Sequence, residues 1–120
     1  MVNGQPQRSE LGMADYGVIL VTVNSQETAH AIAEALVHDQ LAACVNLFPV
    51  QSIYTWKGAV QKDSEWQLVI KTRLAQFASL EAKLTEIHPY EVPEIIALPI
   101  VQGSSAYLQW LGGQVGSRGE

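Results

Sequence analysis

The residues best able to do chemistry lie in one run, His88-Pro89-Tyr90-Glu91-Val92-Pro93-Glu94, followed by the apolar Ile95-Ile96-Ala97-Leu98. An imidazole, a phenol and two carboxylates fall within seven residues, in a segment stiffened by two prolines. Pro89 disfavours helical dihedrals for His88, so His88 is expected at the end of a preceding helix. The negative end of that helix favours a protonated imidazole or a bound cation there. A rigid loop beside a sheet is a common place for function. The plainer alternative is a helix stop followed by solvated loop charges.

Two further groups could join that loop. Cys44 is the sole cysteine, in the apolar stretch Ala42-Ala43-Cys44-Val45-Asn46. It excludes an intrachain disulfide and suits a reducing compartment. A lone cysteine is often a small buried hydrophobe, but with His88 it would suit copper or zinc if the fold joined them. His88 and Glu91 form a His-x-x-Glu spacing across the proline turn, which matches no helical ligand pair. His30 and His38 lie about 12 Å apart along one helix and cannot share an ion. The second group lies on a strand, where Glu65, Gln67, Val69 and Lys71 share one face by two-residue alternation and Trp66, Leu68, Ile70 and Thr72 share the other. Charged residues on an enclosed strand usually have partners. A cleft lined by Tyr54, Trp56, Glu65, Lys71, Tyr90 and Glu94, with His88 and Glu91 beside it, is one reading. Interface hydrogen bonds that fix oligomer register are the other. No phosphate loop, GxSxG elbow or HExxH motif is present, and no nucleophile or oxyanion hole can be named, so no enzyme is expected.

These residues need a scaffold. Gly17 to Val23 reads as a buried strand. Asn24 and Glu27 suit a capping box for a helix carrying Ala29, Ile32, Ala33 and Leu36 and ending near His38 to Gln40. Ala42 to Trp56 is extended and is expected to bend or break at Pro49. Lys57-Gly58 turns the chain, and Val60 to Thr72 returns as a strand. A helix with Phe77, Leu80, Leu84 and Ile87 as its stripe ends at His88. Glu94 to Ile100 is a last strand. Ser104 caps a short helix to Leu111, which Gly112 terminates. The order strand, helix, strand, strand, helix, strand predicts an α+β ferredoxin-like split βαβ sandwich, with an antiparallel sheet and helices on one face.

The 120 residues make one domain, expected at 17–112 between flexible tails at 1–16 and 113–120. The formal charge of −5 argues against nucleic-acid binding. No apolar run spans a bilayer and no signal peptide is visible, so a cytoplasmic protein is expected. Fifteen extended residues would reach about 50 Å at roughly 3.3 Å each, against a radius of gyration of about 13 Å for such a domain. The hairpin must therefore project or fold back. Its aromatic, open-edged strands predict a closed homo-oligomer formed by strand pairing.

Four segments carry a resemblance. Ala42-Ala43-Cys44-Val45-Asn46, Ser52-Ile53-Tyr54-x-Trp56-x-Gly58, Glu65 with Lys71-Thr72, and His88-Pro89-Tyr90-Glu91-Val92-Pro93-Glu94-Ile95 resemble the signature segments of the CutA divalent-cation tolerance family. Tyr107 to Leu111 is similar to that family's aromatic C-terminal helix. The resemblance covers about Gly17 to Gly112. It implies a homotrimer of ferredoxin-like subunits, close in architecture to the trimeric nitrogen-regulatory signalling proteins. It also implies a link to copper(II) or another divalent cation, with His88, Cys44 and Glu91 as metal residues and no organic cofactor. The alternative is a trimeric signalling or scaffold module. Its inter-subunit clefts would bind a small anionic or nucleotide-like ligand, with Lys71 as charge partner.

Overall fold

Residues 15–116 are described in a computed structural model, beginning at strand β1, Tyr16–Val23. Its β-branched and aliphatic residues suit a pleated surface. Ile19, Val21 and Val23 are fully buried. Helix α1, Gln26–His38, starts from Ser25 rather than from the expected Asn24. The Ser25 backbone is extended, and its hydroxyl accepts the Thr28 amide at 3.1 Å. That shift by one residue removes the capping box, because Glu27 now stands one position too early for it. Glu27 still lies in the first turn, where a carboxylate is favoured. Ala29, Ile32, Ala33 and Leu36 are buried, as their spacing requires.

Strands β2, Cys44–Trp56, and β3, Ala59–Arg73, pair without interruption from Cys44↔Lys71 to Trp56↔Ala59. The break expected at Pro49 does not occur, and Pro49 stands opposite Trp66. The sheet order is β2-β3-β1-β4, so β2 is an edge strand and the missing amide can face away from the ladder. At the tip, Lys57 and Gly58 both have positive φ, 51° and 82°. That is the signature of the tight turn whose twist matches a hairpin. The ladder between β1 and β3 stops at Val23↔Trp66. Beyond it the hairpin continues as a two-stranded ribbon. The projection gives principal extents of 51 × 29 × 22 Å and a radius of gyration of 15.9 Å.

A 3-10 turn at Leu74–Gln76 leads into α2, Phe77–Ile87, where Leu80 and Leu84 are buried. His88 follows in an extended conformation, φ −80° and ψ 138°, as a residue before proline prefers. Strand β4 is Ile96–Pro99, shorter than the sequence suggests, and pairs with β1 from Gly17↔Pro99 to Leu20↔Ile96. Helix α3, Ser105–Gly113, is capped by the Ser104 hydroxyl and passes through Gly112. Val115 is buried, and the Gly116 amide donates to the Gln40 carbonyl at 2.8 Å. Residues 113–116 are thus docked, against the expectation of a tail from 113, and Tyr16 belongs to β1. The rest of both expected tails lies outside the described residues.

Every strand pair is antiparallel, and each of α1 and α2 crosses between strands separated by one other. Both helices bury their apolar faces with Ile19, Val21, Val23, Leu68 and Ile70 in one core. The register puts Val18, Leu20, Phe48, Val69, Ile96 and Leu98 on the opposite face. Phe48, Ile96 and Leu98 there are 44, 47 and 45% exposed. Among the described residues, no helix is long and apolar enough to cross a membrane.

Candidate functional site

Where β1 ends and the ribbon continues, the 88–95 loop comes alongside both. His88 anchors it. The ring is 8% exposed, with Nε2 lying 2.8 Å from the Thr22 carbonyl and Nδ1 accepting the Tyr90 amide at 3.0 Å. The neutral tautomer with a proton on Nε2 satisfies both contacts at once. The Tyr90 ring packs edge-on to the imidazole, with centroids 4.7 Å apart. Its hydroxyl then donates to Glu65 Oε2 at 2.5 Å. Histidine, tyrosine and glutamate thus tie the loop to the end of β1 and to the middle of β3. His88→Ala should lower stability by about 1–3 kcal/mol, because Thr22 and Tyr90 lose their buried partner. Urea unfolding of the variant measures that loss, and an unchanged midpoint would contradict the anchoring role.

The loop, the ribbon and the end of β1 enclose a cleft of about 800 Å³. Thr22 and Asn24 line it from β1 and its exit. Ser52, Ile53, Tyr54 and Trp56 line it from β2, and Asp63, Ser64 and Glu65 from β3. The loop contributes Tyr90, Glu91, Val92 and Glu94. Four carboxylates and three aromatic rings therefore share one space. Burial, and then the bond to Glu65, push the Tyr90 phenol well above the usual tyrosine range. The Tyr54 phenol is raised chiefly by its hydrogen bond to Asp63.

Burial also raises the Glu94 carboxyl above 4.5; the charge of Glu65 adds to the shift, and a hydrogen bond from Gln67 opposes it. A carboxyl with a raised folded pKa holds its proton more tightly when folded. Its contribution to stability is complete below 4.5 and is lost as pH rises through the folded value. Glu94→Gln should therefore raise the melting temperature at pH 7, and the gain should vanish below pH 4.5. Thermal melts across that range measure it; a gain that grows on acidification would contradict the sign.

Six of the residues singled out in the sequence line this cleft: Tyr54, Trp56, Glu65, Tyr90, Glu91 and Glu94. Lys71 does not. It shares the face of Glu65 but stands six residues away, roughly 20 Å along the strand, where it hydrogen-bonds Asn46 Oδ1. Cys44 lies opposite Lys71 and is half-buried. Thr22, the partner of His88, pairs with Gln67, four positions from Lys71 and about 13 Å along β3. Cys44 and His88 are thus held at separate stations of the sheet. Among the described residues, no three His, Cys, Asp or Glu side chains form a group able to hold a metal ion. The cation expected at the helix end meets an imidazole whose two nitrogens are already engaged. Sequence reasoning missed Asp63, Ser52, Thr22 and Asn24. Asp63 was available from alternation, being two positions from Glu65.

An all-antiparallel βαββαβ sheet, with two helices on one face and an over-long hairpin on one edge, defines a ferredoxin-like α+β protein. The family profile described as "CutA1 divalent ion tolerance protein" matches residues 17–114. The Divalent-cation tolerance protein CutA of Thermus thermophilus is 50% identical over 95 residues, 78% of this chain and 92% of that protein. The chloroplastic Protein CutA of Arabidopsis thaliana is 47% identical over 95 residues, covering 78% of this chain but 52% of that longer protein. The solved structure of the Thermus thermophilus protein superposes with a TM-score of 0.82 at 48% identity, over 84% of this chain and 99% of that one. The chain belongs to the CutA1 divalent ion tolerance family.

Proposed function

We propose that the chain is a homotrimeric divalent-cation binding protein acting in tolerance of such ions, with copper(II) as the leading ion. The observation that carries assembly is the half-exposed sheet face of Phe48, Ile96 and Leu98, beside an open β4 edge. Exposed apolar strands of this kind call for a cover. The Thermus thermophilus relative is named for cation tolerance rather than for a reaction. His88, Cys44 and Glu91 do not fit a metal centre within one subunit, so the reading requires donors shared between subunits. The Cys44 thiol lies on the open face that a neighbour would cover. The Glu91 carboxylate is exposed, and His88 could join only by releasing Tyr90. Calorimetric titration with Cu(II) tests this. Stoichiometric binding that is lost in Cys44→Ala or Glu91→Ala is expected. Binding that survives in Cys44→Ala, His88→Ala and Glu91→Ala alike would contradict the named donors.

A second reading, a signalling or scaffold module that holds a small ligand, is favoured by the cleft itself. Its volume of about 800 Å³ lies within the roughly 300–1,000 Å³ of small-molecule sites.

A further inference from the structure

The chemistry of the cleft decides which ligand it can take, given the reading that it is a ligand site. Glu65 is 6% exposed and lines the cleft. One of its oxygens accepts from Tyr90. Among the described residues it has no cationic partner; the recorded ion pairs, His38 and Lys83 with Asp39, lie elsewhere. A carboxylate so deeply buried ordinarily has a counter-charge. Asp63, Glu91 and Glu94 add charge of the same sign, and among the described residues no lysine, arginine or histidine lines the space. An anionic or nucleotide-like ligand would meet repulsion, with Lys71 too far away to answer it.

A bare metal ion is a poor occupant as well. It needs several donors converging on one point, and the described residues contain no such group. The cleft is also far larger than an ion, and Tyr54, Trp56 and Tyr90 give its lining three aromatic rings. Ring faces do attract ammonium groups. Lys57 already sets its Nζ 5.6 Å from the Trp56 ring centroid. Carboxylates spread around the walls suit several positive charges along a flexible chain. Ser52, Asn24 and Thr22 supply further oxygens for N–H donors.

We propose that the cleft binds a small linear organic polyamine. One ammonium sits at the buried Glu65 carboxylate, the methylene chain lies against Tyr54 and Trp56, and the remaining ammonium groups meet Asp63, Glu91 or Glu94.

The test is calorimetric titration of the full chain with spermidine, Mg²⁺ and inorganic phosphate, all at about 0.15 M ionic strength to screen diffuse attraction. Saturable spermidine binding with a Kd at or below about 1 mM is expected. Glu65→Gln keeps an acceptor for Tyr90 and should weaken binding about tenfold or more, as loss of a charge-assisted contact does. Trp56→Leu, at the exposed ribbon tip, should weaken it severalfold and serves if Glu65→Gln fails to fold; Glu81→Gln, an exposed carboxylate on α2 outside the cleft lining, should leave it unchanged. Mg²⁺ binding as tightly as spermidine, or spermidine binding indifferent to both variants, overturns the proposal. Phosphate bound in place of spermidine overturns the ligand class and keeps the cleft as a ligand site. If spermidine and phosphate both fail to bind, the proposal and the ligand-site reading fall together.

Discussion

Phe48→Asp combined with Leu98→Asp should convert the proposed homotrimer into a folded single chain of 13.1 kDa. Both side chains stand on the sheet face turned away from the helices, and both are almost half exposed. Covering the remaining exposed half of each contributes about 1 kcal/mol, roughly half the value for burying a fully exposed side chain. In a closed assembly the gain recurs in every subunit. An aspartate there would bury an unpaired charge at each contact. The core of Ile19, Val21, Leu68 and Ile70 lies on the other face, so the variant should keep its secondary structure. Sedimentation velocity with far-UV circular dichroism reads both properties. A variant that still sediments as an oligomer would show that another surface holds the subunits together.

Leu84→Ala should cost about 2–5 kcal/mol of stability. Leu84 is fully buried between α2 and the sheet, where truncation leaves a cavity that a close-packed core closes only in part. The residue also connects core to cleft. Its carbonyl accepts the His88 amide at 2.8 Å, the last hydrogen bond before the chain leaves the helix. A helix end that settles into a cavity carries His88, and with it Tyr90 and Glu65. The measurement is urea unfolding in the dissociated double-aspartate background, so that subunit association does not contribute to the midpoint. A loss below about 0.5 kcal/mol, the range of neutral surface changes, would contradict this packing.

The sequence was a good guide wherever one periodicity dominated. The stripe of Ala29, Ile32, Ala33 and Leu36 and the alternation on β3 lie as their spacing indicates, and β1 forms where its apolar run places it, although Val18 and Leu20 on its second face are only half-buried. Pro49 misled, because proline reads as a break until the strand order shows β2 at an edge. The cap at Ser25 rather than Asn24 turned on one residue of register, which local chemistry leaves nearly balanced. For the cleft, alternation correctly set Lys71 on the face of Glu65 but gave no distance limit, so a residue roughly 20 Å away was drawn in. His88 shows the opposite case. Its type and helix-end position suggest a cation site, yet its partners are a carbonyl 66 residues earlier and an amide two residues later. Only the folded chain shows the first of them.

The most direct test of the account is native mass spectrometry of the purified chain, first alone and then with Cu(II). The account predicts an apo species at three times the 13.1 kDa chain mass that takes up discrete copper ions, with no uptake by the dissociated double-aspartate variant. A monomeric wild-type chain would contradict assembly through the open sheet face. Equal copper uptake by monomer and assembly would contradict donors shared between subunits.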